Sequence, residues 1–170
     1  MKLLEIMNLK VYFNTLDGLV KAVDGVSFTL NEEETLAIVG ESGCGKTVTA
    51  LAILGLVKRA FVEGSITFRG VELTKLSEEE FRNIRGKRIS MIFQEPMASF
   101  DPLYSIGKQM MEVAMKHLNT SEEEARNLCL EMLKKVQIPL PEQRFNQYPH
   151  QMSGGMLQRI MIAYGLADES

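Results

Sequence analysis

The segment Gly40–Thr47 carries the residue types and spacing best suited to chemistry in this chain. It reads GESGCGKT and fits the pattern G-x-x-x-x-G-K-[ST]. Glycines let the backbone curl so that successive N–H groups point at phosphate oxygens, and the following helix adds the positive end of its dipole. Lys46 offers a point charge to β- and γ-phosphates, and the Thr47 hydroxyl is suited to binding Mg²⁺. The predicted phosphate-contacting residues are Gly40, Glu41, Ser42, Gly43, Cys44, Gly45, Lys46, Thr47 and Val48.

The flanking sequence favours a phosphate-binding loop over an accidental glycine-rich turn. The run 34–39 before it is nearly all apolar, which is typical of a strand buried on both faces. An apolar helix is predicted after it, from about Lys46 to Lys58. Cys44 occupies a free position beside a lysine and a helix start, so its thiol is either reactive or simply small enough to fit.

A second cluster of small residues, Ser153-Gly154-Gly155, stands directly before another apolar helix. A helix start of this kind is also suited to an anion. Gln94 ends a predicted strand at 88–93, where it is either a ligand or an ordinary polar residue.

The elements that must position these residues follow from periodicity and turn signals. Two strands, 3–13 and 19–30, flank Asp17-Gly18 and predict a hairpin, and two short strands are predicted at 64–68 and 71–73. Ser77 and Glu80 form a capping box, as do Thr120 and Glu123 before the second of two helices, 105–118 and 120–136. The apolar face of the second helix consists of Ala125, Leu128, Cys129, Met132, Leu133 and Val136.

Composition limits the function classes. The chain has 170 residues, 45% hydrophobic and 24% charged, which fits a soluble globular domain. Its net charge of −3 argues against nucleic acid as a partner. The longest apolar stretch, 48–57, is too short to span a bilayer, so a membrane role is expected only through a partner.

Together the two glycine-rich motifs resemble those of the ATP-binding-cassette (ABC) ATPases, whose signature reads LSGGQ where this chain has MSGGM at 152–156. The resemblance implies a head-to-tail dimer with ATP and Mg²⁺ at its interface, in which Ser153, Gly154 and Gly155 contact the γ-phosphate bound by the other subunit. Gln94 resembles the family's Q-loop glutamine, a contact of Mg²⁺ and of the attacking water, and is assigned a catalytic role with Lys46. Phe13 resembles the aromatic that stacks on adenine, although alternation also allows it to be core; Tyr12 is the neighbouring candidate.

The expected fold is α/β: a P-loop nucleotide hydrolase of the ABC type. It combines a mixed β-sheet core, an N-terminal antiparallel β subdomain and a helical insertion. We expect the ATP-binding core at 1–96, the helical subdomain at 97–151, and the signature with its following helix at 152–170.

The sequence around these motifs, including 94–103 and 148–153, resembles that of the ATPases of oligopeptide and dipeptide importers. Nickel importers share much of this sequence. The implied partners are two membrane-spanning permease subunits, a second ATPase subunit and, indirectly, a substrate-binding protein. The implied location is the cytoplasmic face of the membrane. A cassette ATPase of DNA repair or translation is less favoured, because coiled-coil heptads, zinc-type cysteines and tandem cassettes are not seen in the sequence.

The chain differs from the family's pattern at the catalytic carboxylates. Asp168 and Glu169 are the only candidates, and they follow Ser153 too closely for a helix of about 11–12 residues, a turn and a strand. We expect them to end the helix after the signature, so that the chain stops before the carboxylates and hydrolyses ATP poorly. Whether this chain is an enzyme therefore stays open, with a nucleotide-binding module without turnover as the alternative.

Overall fold

The computed structural model describes residues 1–118 and 120–166, so Asp168 and Glu169 lie outside the described residues. The chain divides into two compact units, Met1–Arg85 and Gly86–Ser170, called here the N-terminal and C-terminal units. The strands are β1 (Lys2–Thr15), β2 (Gly18–Asn31), β3 (Ala60–Phe68) and β4 (Val71–Glu72). The α-helices are α1 (Lys46–Ile53), α2 (Glu78–Arg82), α3 (Ile106–Leu118), α4 (Glu122–Lys135), α5 (Pro141–Phe145) and α6 (Gly154–Leu166).

The N-terminal unit is built on an antiparallel sheet with the strand order β2-β1-β3-β4. The predicted hairpin is confirmed, since Thr15 pairs with Gly18 at the turn between β1 and β2. Arg69 and Gly70 have φ values of 47° and 82° in the turn between β3 and β4, as a two-residue type I′ turn requires. The alternating apolar positions of the sheet form one buried face: Ile6, Leu9, Val11 and Ile66.

Helix α1 ends earlier than the sequence predicts, and Gly55 is the reason. This glycine has φ 60°, and Leu56 N donates to Leu51 O while Gly55 N donates to Ala52 O. That pair of bonds is a Schellman motif, which stops a helix at a left-handed residue. Arg85 donates from Nε to Leu54 O at 2.7 Å and from Nη2 to Gly55 O at 3.1 Å. The far end of α1 is therefore tied to the residue that closes the N-terminal unit.

The two strands predicted at 34–39 and 88–93 are not formed in the structure. Both segments are without regular strand pairing, and Leu36, Ile38 and Ile92 are exposed by 40%, 46% and 48%. An apolar run becomes a central strand only when neighbouring strands take up its N–H and C=O groups. Among residues 1–118 and 120–166, no strand pairs with either segment.

The C-terminal unit is a helical cluster around one apolar core. The predicted face of α4 is confirmed: Ala125, Cys129, Met132 and Leu133 are buried, and Leu128 and Val136 pack against them. Residues of α3, α5 and α6 complete this core, among them Ile106, Phe145, Leu157 and Ile160. Burial raises the pKa of the Cys129 thiol to about 11, so this cysteine packs as an apolar residue.

Side-chain caps set the helix starts in both units. The capping box of Ser77 and Glu80 at α2 is confirmed. The one predicted for Thr120 and Glu123 is wrong by one residue, because Ser121 and Glu124 form it. Successive candidate pairs, Thr120 with Glu123 and Ser121 with Glu124, both satisfy the pattern, so the pattern alone does not choose between them.

Glu72 ties the edge strand β4 to β3 through several donors. Its carboxylate accepts hydrogen bonds from Ser65 Oγ, from Ile66 N at 2.9 Å and from Thr74 Oγ1 at 2.7 Å. Partial burial raises the pKa of Glu72, but the bonds from Ser65, Thr74 and Ile66 outweigh it and bring the pKa down to about 2. Because the folded pKa lies below the ordinary value, this carboxylate stabilises the fold at neutral pH and loses that effect as pH falls from about 4.5 to about 2.

We predict that Glu72→Gln lowers the free energy of unfolding at pH 7 by about 1–3 kcal/mol, the size expected for losing charged hydrogen bonds. The difference from wild type should shrink as pH falls from 4.5 to 2, because the carboxylate is then protonated in the unfolded chain while the fold still holds it ionised. Urea unfolding at pH 7 and at pH 3 measures both effects. Glu79→Gln, at an exposed position of α2, is the control, and an equal loss at both pH values would contradict the prediction.

Candidate functional site

The loop 40–45 joins an extended segment to the start of α1 and is shaped by its own backbone. Gly43 and Gly45 have φ values of 81° and 89°, and Gly45 is the N-cap of α1 without a side-chain cap bond. Because no side chain caps the helix, the first-turn amides of α1 remain available to an anion from outside. Thr47 is exposed beside them, where its hydroxyl is accessible.

Gly45 also packs against the sheet. A Cβ at this position would lie 2.2 Å from the carbonyl oxygen of Ala22 in β2. Ala22 is the extra residue of a β-bulge, because Val11 pairs with Val23 and Tyr12 pairs with Lys21. The bulge therefore places a backbone carbonyl where only glycine can approach it, and this contact fixes the start of α1 against β2.

Lys46 folds back onto the loop. Its ammonium donates to Gly40 O at 2.8 Å and to Glu41 O at 2.6 Å, and it lies 3.5 Å from Cys44 Sγ. These contacts hold the positive charge within the curve of the loop, where the sequence predicts phosphate. The arrangement fits a polyphosphate, because the charge, the left-handed glycines and the helix start occupy one short segment.

Phe13 and Tyr12, the candidates for an adenine contact, are both half-buried but differ in their partners. Tyr12 donates to the Asp24 carboxylate, which raises the pKa of Tyr12 to about 12, and the Lys21 ammonium lies 5.4 Å from its ring centre. Phe13 pairs with Val20 and Ala60 and, by alternation, shares its sheet face with Val11. Tyr12 is thus engaged by charged neighbours, whereas Phe13 offers a partly exposed apolar ring.

Ser153, Gly154 and Gly155, called here the signature turn, begin α6 in the C-terminal unit. The Ser153 hydroxyl accepts a hydrogen bond from Met156 N at 3.3 Å, as an N-cap does. Met152 and Leu157 on either side are buried, Met156 is half-buried, and the three residues of the signature turn are exposed. The turn is therefore anchored at both ends and open in the middle.

The glycines of the signature turn have no packing explanation within the described residues. A Cβ at Gly154 or at Gly155 would meet no atom within 4 Å, and neither residue has positive φ. A glycine that neither turns the chain nor relieves a contact leaves room for something that approaches from outside. Both glycines lie beside the first-turn amides of a helix, so an anion is a suitable ligand for this open space.

Gln94 is exposed in the segment that follows 88–93. It precedes a 3₁₀ turn at Pro96–Ser99 and a loop that Gln109 of α3 secures. Gln109 accepts from Asp101 N at 2.9 Å and donates to Asp101 O at 3.0 Å and to Tyr104 O at 2.9 Å. Leu103 of this secured loop is 79% exposed.

The predicted site residues are divided between the two units. Phe13 and 40–48 lie in the N-terminal unit, whereas Gln94 and the signature turn lie in the C-terminal unit. Within the described residues no cluster of three or more His, Cys, Asp or Glu side chains could hold a metal. Among residues 1–118 and 120–166, no helix has the length and apolar content to cross a membrane. The assignments of Gln94 and Thr47 to Mg²⁺ remain predictions.

Comparison with known proteins decides the family. Residues 23–170 match the model for the ABC transporter family, which is more than half of the chain. The chain belongs to the ABC transporter family. The resemblance seen in the two glycine motifs is confirmed.

The curated relatives of this ABC chain include importer subunits. The oligopeptide transport ATP-binding protein OppD of Bacillus subtilis is 50% identical over 169 residues, which cover 98% of this chain and 47% of the relative. The dipeptide transport ATP-binding protein DppD of the same organism is 49% identical, covering 99% of this chain and 51% of the relative. The chain spans about half the length of the curated relatives it matches.

Solved structures confirm the α/β cassette fold. A dimeric ATP-binding cassette in a post-hydrolysis state, bound to ADP and Pi, aligns with a TM-score of 0.85 at 28% identity. The alignment covers 98% of this chain and 70% of that one. A dimeric bacterial ABC transporter cassette aligns with a TM-score of 0.84 at 27% identity.

Sequence reasoning missed the residues that hold the two glycine motifs from outside. The Ala22 bulge meets Gly45 from another element, and Arg159 bonds Gln137 O at the end of α4 as well as Gly155 O one turn back. Only the arginine carried a local signal, since a cation four residues after Gly155 can reach back along the helix.

We predict opposite effects for alanine at Gly155 and at Gly45. Gly155→Ala should leave the free energy of unfolding unchanged or raise it by up to about 1 kcal/mol, because alanine is the better helix former and meets no atom. Gly45→Ala should destabilise the N-terminal unit, because its Cβ would clash with the Ala22 carbonyl and φ is 89°. Urea unfolding compares the two, and destabilisation by Gly155→Ala would show that this glycine serves the chain's own packing.

Proposed function

We propose that this chain is the nucleotide-binding part of an importer's ATP-binding subunit, which couples ATP to the uptake of oligopeptides or dipeptides. The main observation behind this proposal is the presence of two glycine-rich helix starts. One is the loop that curls around Lys46, and the other is the open signature turn. The substrate class rests on the relatives, which are about half identical and are described as oligopeptide and dipeptide transport ATP-binding proteins.

The N-terminal unit supplies the primary contacts in this proposal. Residues 40–48 hold the phosphates of ATP, with Lys46 moving from the Gly40 and Glu41 carbonyls to the β- and γ-phosphates. Thr47 binds Mg²⁺, which neutralises phosphate charge. Phe13 stacks on adenine, favoured over Tyr12 because the latter is held by Asp24.

The signature turn acts on a second copy in this proposal. Its open glycines suit the γ-phosphate held by the loop of another ATPase subunit, so that two nucleotides lie between two chains. A closed two-fold pair needs complementary patches on both chains, and this chain carries both motifs. The related cassettes that align in structure are described as dimeric. Gln94 senses Mg²⁺ and the attacking water in the same assembly.

The segment from Gln94 to Leu103 is the proposed contact with the membrane-spanning subunits. Met97 and Leu103 are 51% and 79% exposed, and Gln109 fixes the loop that presents Leu103. A held loop loses little conformational entropy when it binds a partner. The subunit then lies at the cytoplasmic face of the membrane. The substrate-binding protein and the second permease subunit interact with it indirectly, through the assembled transporter.

Calorimetric titration of MgATP into the purified chain tests the proposal. Saturable binding is expected, and Lys46→Met should weaken it by at least about tenfold, because the charge facing the β- and γ-phosphates is lost. Lys58→Met, at an exposed lysine beyond α1, is the matched control. Absence of binding by the wild type, or equal binding by Lys46→Met, would refute nucleotide binding at this loop. Phosphate release measured on the same samples reports turnover separately.

Co-purification with the permease subunits tests the docking segment. Leu103→Asp should reduce recovery of the permease several-fold, because a charge replaces an exposed apolar anchor that the partner buries. Leu140→Asp is the control, since Leu140 is 64% exposed elsewhere in the same unit. Equal recovery with both variants would place the permease contact outside this segment.

A further inference from the structure

We propose that Arg159 is the positioning residue of the signature turn, holding the turn in register by binding Gly155 O and the end of α4. The inference rests on the proposed function, because it assigns a support to the turn that contacts γ-phosphate. Arg159 does not itself reach a ligand in this scheme. It acts through the backbone of Gly155.

The signature turn benefits from such a support because two of its three residues have no side chain with which to anchor it. Gly154 and Gly155 have no Cβ, and each glycine is about 1 kcal/mol less favourable than alanine within a helix. The first-turn amides of α6 also have no carbonyl partners in their own helix. Met152 and Leu157 bury the flanks of the turn, whereas a Cβ at Gly154 or Gly155 would meet no atom within 4 Å.

The Arg159 guanidinium bonds both elements at once. Its Nε donates to Gly155 O at 3.4 Å, one turn back along α6. Its Nη1 donates to Gln137 O at 2.7 Å and lies 3.5 Å from Val136 O. The side chain is half-buried, so these bonds are partly shielded from water.

The C-terminal end of α4 is a suitable place for a cation to bind. Val136 is its C-cap, and Gln137 follows with φ 57°, which turns the chain out of the helix. Carbonyls at this end have no helical partner and carry the negative end of the dipole. Cys129 and Leu133 are buried and fix the body of α4 in the core. Arg159 therefore links the signature turn to a helix that the core already holds.

An arginine is specifically required for this geometry. Its planar fork places Nε and Nη1 toward two acceptors at once, and it stays charged at every physiological pH. A lysine offers a single nitrogen, which can serve one of the two carbonyls well. Arg126 of the same unit provides a comparison, because its guanidinium lies 5.6 Å from the Phe145 ring centre and packs on an aromatic face.

Amide hydrogen exchange on the full chain tests the proposal directly. We expect Arg159→Met to speed exchange of the Met156 and Leu157 amides, which bond Ser153, about tenfold relative to 160–164, the order expected from losing a charged hydrogen bond. Arg159→Lys should show a smaller increase, and Arg126→Met should match wild type. The affinity for MgATP at the phosphate loop should stay within about twofold of wild type, because that loop is unchanged.

ATP-dependent self-association, followed by sedimentation, supplies the functional readout. Arg159→Met should weaken it at least about tenfold while the midpoint of thermal unfolding moves little. Wild-type exchange and association in Arg159→Met would overturn the proposal. So would faster exchange spread evenly through α4 and α6 with a large fall in the unfolding midpoint, which would indicate a purely structural arginine. If the wild type neither binds MgATP nor self-associates, the proposed function fails, while the exchange comparison still decides the role of Arg159.

Discussion

A backbone that binds phosphate through its amides has to give up the side chains that would otherwise hold it. In the proposed function, this constraint applies to both helix starts in the chain. At α1 the loop uses left-handed glycines, and at α6 the signature turn uses glycines that meet nothing nearby. Each turn gains access for a ligand and loses its own anchors, so stability has to come from residues behind it.

The N-terminal unit meets the constraint with backbone contacts at both ends of α1. The Ala22 bulge meets Gly45 at the start, and Arg85 bonds Leu54 O and Gly55 O at the end. Arg85 is in turn held by Glu78 and by the Phe81 ring, 4.7 Å away. The helix whose first-turn amides are open to an anion is thus restrained along its axis from both ends.

The C-terminal unit uses polar side chains to fix turns whose tips stay exposed. Gln109 satisfies Asp101 and Tyr104 backbone groups, and Arg159 satisfies carbonyls at the end of α4. Each bond restrains a backbone group that lies outside the regular helices and strands. Exposed Leu103 and the open signature turn therefore sit on supports that are already ordered, which lowers the entropy lost on binding.

The sequence by itself determined what depends on a few neighbouring residues. The phosphate loop, the Asp17-Gly18 hairpin, the Ser77 capping box and the apolar face of α4 all follow from local spacing, since backbone freedom and helical periodicity act over one or two turns. Local bonds set the end of α1 at Gly55 and the capping of α4 by Ser121 rather than Thr120, between choices that the sequence pattern left open. Tertiary structure alone decided the unpaired state of 34–39. It also decided which distant partners meet Gly45 and Arg159. These outcomes depend on residues far along the chain, because strand pairing and carbonyl capping both need a second element. The local sequence does not show which element that will be.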